Sequence, residues 1–199
     1  MSSDSGALIK DLHDAGVDVS DPWDLVNRPV QYPSAIPILI DWLHNIEARV
    51  DETSRPKLRE ALVRALSVPA AHPQAAPVLI EEFRRVEDKT GLGLRWVVGN
   101  ALSIVADDSF FEEIASLVQD RLYGKGRQML VLGLGDSADS RAPQVLRSLL
   151  DDDTVALHAL KAIGKLRPPG LRPDVEKLTS HPSSVLRREA KKVLSKLPT

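Results

Sequence analysis

Three groups of residues have types and spacings that could do chemistry. Gly133-Leu134-Gly135-Asp136-Ser137-Ala138, after the apolar Met129-Leu130-Val131-Leu132, matches the G-x-G-x-x-A pattern that brings a helix N-terminus up to a dinucleotide pyrophosphate. Asp151 to Asp153 stand roughly where a ribose-binding carboxylate would fall. That chemistry needs a strand before the glycines and a parallel sheet around them. The histidines are His13, His44, His72, His158 and His181; none forms His-x-x-x-His, and no His-Glu dipeptide occurs. With no cysteine there is neither a thiolate nucleophile nor a Cys-ligated zinc site. Ser, His and Asp are all present, but no Gly-x-Ser-x-Gly elbow holds a nucleophile. No catalytic residue, metal or cofactor is expected. Asp151-Asp152-Asp153 has a simpler role than cation binding: aspartate caps a helix and complements its dipole, and a helix is expected over Thr154 to Leu166.

The elements available to position such groups are helices. Strand-like alternation never appears, and no Asn-Gly or Asp-Gly hairpin turn occurs. Apolar residues recur instead at helical spacing, punctuated by Pro and Gly. The 199 residues fit one domain or two small ones, and 43% hydrophobic with 27% charged is ordinary globular usage. Aromatics are only 4%, so the core must be aliphatic. Lys plus Arg is 26 against 28 Asp plus Glu, a net charge of -2 that argues against a strongly basic field for nucleic acid. Met1-Ser2-Ser3-Asp4-Ser5-Gly6 has no basic or apolar stretch of a secretory signal, and runs such as Ala35 to Ile40 are too short to span a bilayer. A soluble cytoplasmic protein with no membrane partner is expected.

The sequence repeats itself. Pro33-Ser34-Ala35-Ile36-Pro37-Ile38-Leu39-Ile40-Asp41 returns forty residues later as Pro73-Gln74-Ala75-Ala76-Pro77-Val78-Leu79-Ile80-Glu81. Ala101-Leu102 with Val105-Ala106-Asp107, Leu130-Val131 with Leu134-Gly135-Asp136, and Ala159-Leu160 with Ile163-Gly164-Lys165 stand 29 residues apart each time. If Leu58, Leu94, Tyr123, Asp152 and Leu186 are offset zero, offsets 4, 7, 8 and 11 are mostly apolar and share one helix face with it. Each such helix follows another with its own stripe: Leu39/Leu43, Leu79/Phe83, Ile114/Val118, Val145/Leu149 and Val175/Leu178. Five helix pairs result, each too small to bury its own apolar face. Pro37, Pro77, Pro143 and Pro173 mark starts of first helices, and glycine in Leu134-Gly135-Asp136 and Ile163-Gly164-Lys165 reads as a helix-ending C′ residue.

Over about Gln31 to Pro198 this pattern resembles the HEAT-repeat (armadillo-like) α-solenoids. The Leu-Arg at offsets 0 and 1, the Ala-Leu at 7 and 8 and the closing apolar-Gly-Asp carry the likeness, while Tyr123-Gly124 and Asp152-Asp153 depart from it. The resemblance implies an all-α, right-handed α-solenoid of about five helix pairs over 31–199. Residues 1–30 form an N-terminal helical cap, with Asp21-Pro22-Trp23-Asp24 starting a helix. It implies that Arg59, Arg95 and Arg187 pair with aspartates closing neighbouring repeats, Asp107 and Asp136 being candidates. The absence of paired His-Glu motifs departs from the HEAT-repeat deoxyhypusine hydroxylases, so their di-iron site is not expected.

Offsets 2, 6 and 9 point away from the apolar stripe, and in HEAT solenoids this face lines the concave surface. The candidate partner-binding residues there are Arg64, Trp96, Asn100, Lys125, Met129, His158, Lys161, Arg188 and Lys192. Trp96, Met129 and, at offset 9, Leu132 on an otherwise polar surface mark a contact site, unless Trp96 folds sideways into a groove between repeats. Residues 1–50 carry 3 basic and 8 acidic side chains, whereas 151–199 carry 10 and 6. Arg188, Lys192 and Lys196 make a basic stripe on the last helix, suited to an acidic partner, to the opposite end of a second copy, or to keeping a terminal repeat soluble. The resulting expectation is a non-catalytic scaffold or adaptor binding a protein or peptide, acidic ones included. The alternative is a nucleic-acid protein similar to the HEAT-like alkylpurine DNA glycosylases, with Trp96 and Asp107 or Asp108 at a damaged base, and the net charge of -2 speaks against it. Phycobilisome lyases also carry HEAT-like repeats, but no residue here points to a bilin.

Overall fold

The computed structural model describes residues 3–27, 31–85 and 93–198. Among them there is no strand. The helices are α1 (Ser3–Asp14), α2 (Asp24–Asn27), α3 (Ile36–His44), α4 (Ile46–Arg49), α5 (Arg55–Ala65), α6 (Ala76–Arg85) and α7 (Leu94–Val105), then α8 (Phe111–Gln119), α9 (Gln128–Gly133), α10 (Ala142–Ser148), α11 (Ala156–Leu166), α12 (Arg172–Lys177) and α13 (Ser184–Leu194). Pro37, Pro77, Pro143 and Pro173 are each the second residue of a helix, where the missing N–H has no intrahelical partner to lose. Every residue at offsets 4, 7 and 8 is buried except the half-buried Leu194, and none at offsets 2, 6 or 9 is buried.

The chain divides into two compact units. In the first, Met1–Glu87 with Asn100–Ala106, α3 packs on α1, α5 and α6. Leu12, Leu39, Leu43, Leu62 and Phe83 are its fully buried aliphatic and aromatic centre. The Tyr32 hydroxyl donates to the Ala65 carbonyl at 3.0 Å, and the Trp42 indole N–H to Asp11 at 2.8 Å, which ties α1 to α3. Glu82, 1% exposed, receives Arg59 through Nη1 at 2.7 and 3.0 Å, and the other guanidinium nitrogen reaches Glu47.

In the second unit, Asp88–Gly99 with Asp107–Thr199, α9 packs on α11 and α11 on α13, with α8, α10 and α12 behind them. Residues one repeat apart touch. Lys165 pairs with Asp136, Arg141 with Glu112, and Ser137 donates to Asp108, each at a separation of 29. The structure corrects the role expected of the glycines. Gly135 lies in the helical turn Leu134–Asp136, Gly164 lies inside α11, and neither has a positive φ. A Cβ on Gly135 would stand 3.0 Å from the Ala162 Cα, and one on Gly164 3.0 Å from Val193 Cγ2, so these glycines let the next helix approach. α11 ends instead at Arg167, in the left-handed region at φ 52°, whose N–H returns to Ile163 at 2.8 Å.

For Arg59, Arg187 and Asp136 the expected arginine ladder is also corrected. Arg59 takes glutamates, Arg187 donates to the His181 and Pro182 carbonyls at 2.8 and 2.7 Å, and Asp136 takes Lys165. Between α9 and α11, helices align like offset with like offset, Asp136 meeting Lys165. Offset 1 and the closing offset 13 are then about 18 Å apart along the axis, beyond a guanidinium's reach. Arg95 places its guanidinium 4.9 Å from the Tyr123 ring centroid.

Candidate binding surface

The second helices of the second unit carry most of the expected site. α9 and α11 lie in parallel, because Gln128 Nε2 bonds the Thr154 carbonyl at 3.0 Å near their starts and Asp136 meets Lys165 near their ends. The 29-residue register therefore puts Met129 level with His158 and Leu132 level with Lys161. At α13 the offsets shift: Gly164 lies against Val193, offset 12 against offset 7. Met129, Leu132 and His158 are half-buried, and Lys161, Arg188 and Lys192 are exposed. Lys125 is exposed in the turn Arg121–Arg127, four residues before Met129. Trp96 is half-buried at the start of α7, beside the Arg95–Tyr123 contact. These seven predicted residues belong to one unit.

The remaining two, Arg64 and Asn100, belong to the first unit. Arg64 is half-buried on α5 and engaged within its own helix, with Nε 2.9 Å from Glu60 four residues back. Asn100 is half-buried, and its carbonyl accepts the Ser103 hydroxyl at 2.8 Å.

His158 stands out chemically. Its Nδ1 is buried with no hydrogen-bond partner among the described residues. Burial, helped by the nearby Lys161 charge, pushes the imidazole below its ordinary pKa and keeps it neutral near pH 7.

Arg127 and Asp152 escaped sequence reasoning as a pair. Arg127 is 1% exposed, and its Nη2 donates to Asp152 Oδ2 at 2.8 Å, its Nη1 to the Val118 carbonyl at 2.9 Å, and its Nε to the Gly124 carbonyl at 3.0 Å. Asp152 Oδ1 also accepts the Thr154 N–H at 3.0 Å. Burial raises the Asp152 pKa, but these hydrogen bonds outweigh it and hold the carboxyl below the usual carboxylate value. The signal was in the pattern: offset 4 of one repeat and offset 0 of the next are core positions, and here they carry opposite charges.

The other chemistries find no geometry. Gly133 ends α9 and Gly135 lies in the following helical turn, with no strand before them among the described residues. No group of three His, Cys, Asp or Glu among the described residues could hold a metal ion. Asp153, His181 and Ser183 gather at one spot, His181 Nε2 being 3.2 Å from Asp153. But His181 Nδ1 accepts the Ser183 backbone N–H at 3.1 Å, and the Ser183 hydroxyl accepts the Leu186 N–H as the cap of α13. That imidazole has no nitrogen free to take a proton from the serine. No described helix is long and apolar enough to cross a membrane.

No protein-family model matches the sequence, and no curated protein matches it. Among solved structures, the chain is similar to the designed armadillo repeat protein YIII(Dq)4CqI, with 16% identity over 89% of this chain and 98% of that one, at a TM-score of 0.46.

Proposed function

We propose that this chain is a non-catalytic scaffold or adaptor: a right-handed α-solenoid of about five HEAT-like helix pairs, closed by an N-terminal helical cap over 1–30, that binds a protein or peptide on its concave face. Fold alone does not give function. The observation that carries the reading is the rung of Met129, Leu132 and His158, left half-exposed on helices whose opposite side is fully buried. Partly exposed apolar side chains set among cations are the composition of an interface core with its rim. The parallel register supports it too, since consecutive helices repeat the same offsets toward one side and so build a continuous surface from small units.

The test is affinity capture from a lysate of the source cells, with nuclease treatment, using the wild-type chain and variants Trp96→Ala and Met129→Ala. One protein retained in near-equal amount by wild type and lost by the variants at unchanged melting temperature is the expected result. Retention that survives in both variants, or that disappears with nuclease, would count against it; the latter would favour nucleic acid.

A further inference from the structure

The grooves of the second unit are not alike. Between α11 and α13 opens a cleft of about 330 Å3, lined by Asp153, Leu157, His181, Ser183, Val185 and Leu186. Val185 is 44% exposed and Leu157 half-buried, so its apolar wall is within reach of solvent. One end is closed by Asp153 and His181, whose Nε2 stands 3.2 Å from the Asp153 carboxylate. Toward the other end, helical spacing turns each wall into cations. Lys161 follows Leu157 by four residues, Arg188 follows Val185 by three, and Lys192 follows Arg188 by four. Gly164, three residues after Lys161, lies against Val193, the residue after Lys192, which brings Lys161 toward the stretch that carries Arg188 and Lys192.

These cations differ from their neighbours. Arg141 is held by Glu112 and Asp139, Arg147 by Asp174, and Lys165 by Asp136. Lys161 and Arg188 meet no carboxylate among the described residues, and Lys192 meets only Glu189, at 3.4 Å. A charge-unbalanced track thus leads away from an apolar cleft along one groove.

We propose that this groove seats an acidic segment of a partner protein. One large apolar side chain enters the cleft against Leu157 and Val185, and two carboxylates beyond it reach Lys161, Arg188 and Lys192. An extended chain turns alternate side chains the same way about 6.7 Å apart, and a helical turn advances about 5.4 Å. The matching segment therefore has acids at two alternate positions on one side of the apolar residue only, because Asp153 repels carboxylates at the closed end. This inference rests on the peptide-binding reading above and narrows it to one groove and one partner chemistry.

Panning a displayed library of random heptapeptides against the full chain tests it. Enriched peptides should carry one large apolar residue flanked on one side by two acids. As labelled synthetic peptides they should lose about tenfold in affinity on Arg188→Glu and on Lys161→Glu, weaken with added salt, and ignore Lys57→Glu on the other unit. Enriched peptides without carboxylates, or acidic ones indifferent to both substitutions, would overturn the groove assignment and leave peptide binding standing. A library with no enrichment overturns it as well, and salt-dependent binding of a short DNA duplex through Arg188 and Lys161 would replace it with a nucleic-acid site. The capture experiment reads Trp96 and Met129 instead, so the broader proposal fails or survives separately.

Discussion

At the scale of single residues, the buried Arg127–Asp152 pair is the most demanding feature of the second unit. Desolvating two charges is costly, and the geometry answers with four hydrogen bonds: Arg127 donates to Asp152 and to the Val118 and Gly124 carbonyls, and Asp152 accepts the Thr154 N–H. Arg127→Ala strands a buried carboxylate and should cost about 3–5 kcal/mol in urea unfolding, whereas Arg127→Met with Asp152→Leu should regain most of it. His158 predicts a pH effect of definite sign. The unfolded imidazole takes its proton near pH 6.5, and the folded one only at lower pH. Stability is therefore complete above about pH 6.5 and falls as the pH drops below it. In His158→Leu the melting-temperature difference between about pH 7.5 and about pH 5.5 should shrink. Neither effect was legible in full. The sequence marked both residues by position, Asp152 as a departure from Leu-Arg and His158 in a surface row. Their chemistry came from burial, which depends on which helix lies opposite.

Helices were the most legible level, because their signals are local. Proline at the second position marks α3, α6, α10 and α12, and 3.6-residue spacing with the 29-residue repeat marks α7, α9 and α11, before any contact is known. What misled was glycine. Its most familiar use at a helix end is the left-handed C′ position, and nothing local separates that use from close approach. The distinction rests on Ala162 and Val193, one repeat away in sequence. Gly135→Ala should therefore cost about 1–3 kcal/mol, since its new methyl meets Ala162 backbone rather than a side chain that can swing aside. A melting temperature as high as wild type would return Gly135 to the class of simple helix ends. The arginine ladder failed for a similar reason. Pairing by type overlooked about 18 Å of helix axis between offsets 1 and 13.

At the scale of the whole molecule, the first unit has its core around Leu39, Leu62 and Phe83, and the second around Val131, Leu160 and Val175. Leu62→Ala and Leu160→Ala should each cost about 2–5 kcal/mol by denaturant titration. Because they share neither a helix nor a unit, the double variant should cost their sum within about 0.5 kcal/mol. A larger discrepancy would mean that the cores are energetically joined.

The interval of 29 between α9 and α11 has a consequence for how such a chain can change length. That step is closed by Gly135 against Ala162 and by Asp136 with Lys165, whereas the step from α11 to α13 is closed by Gly164 against Val193. A tandem copy of the 29 residues between Asp136 and Lys165 would make one new seam, at which the side of α11 that now meets α13 meets a second copy of the side that now meets α9. Growth by internal duplication then asks for complementarity to arise at that one seam, because every other helix keeps the neighbour it already has.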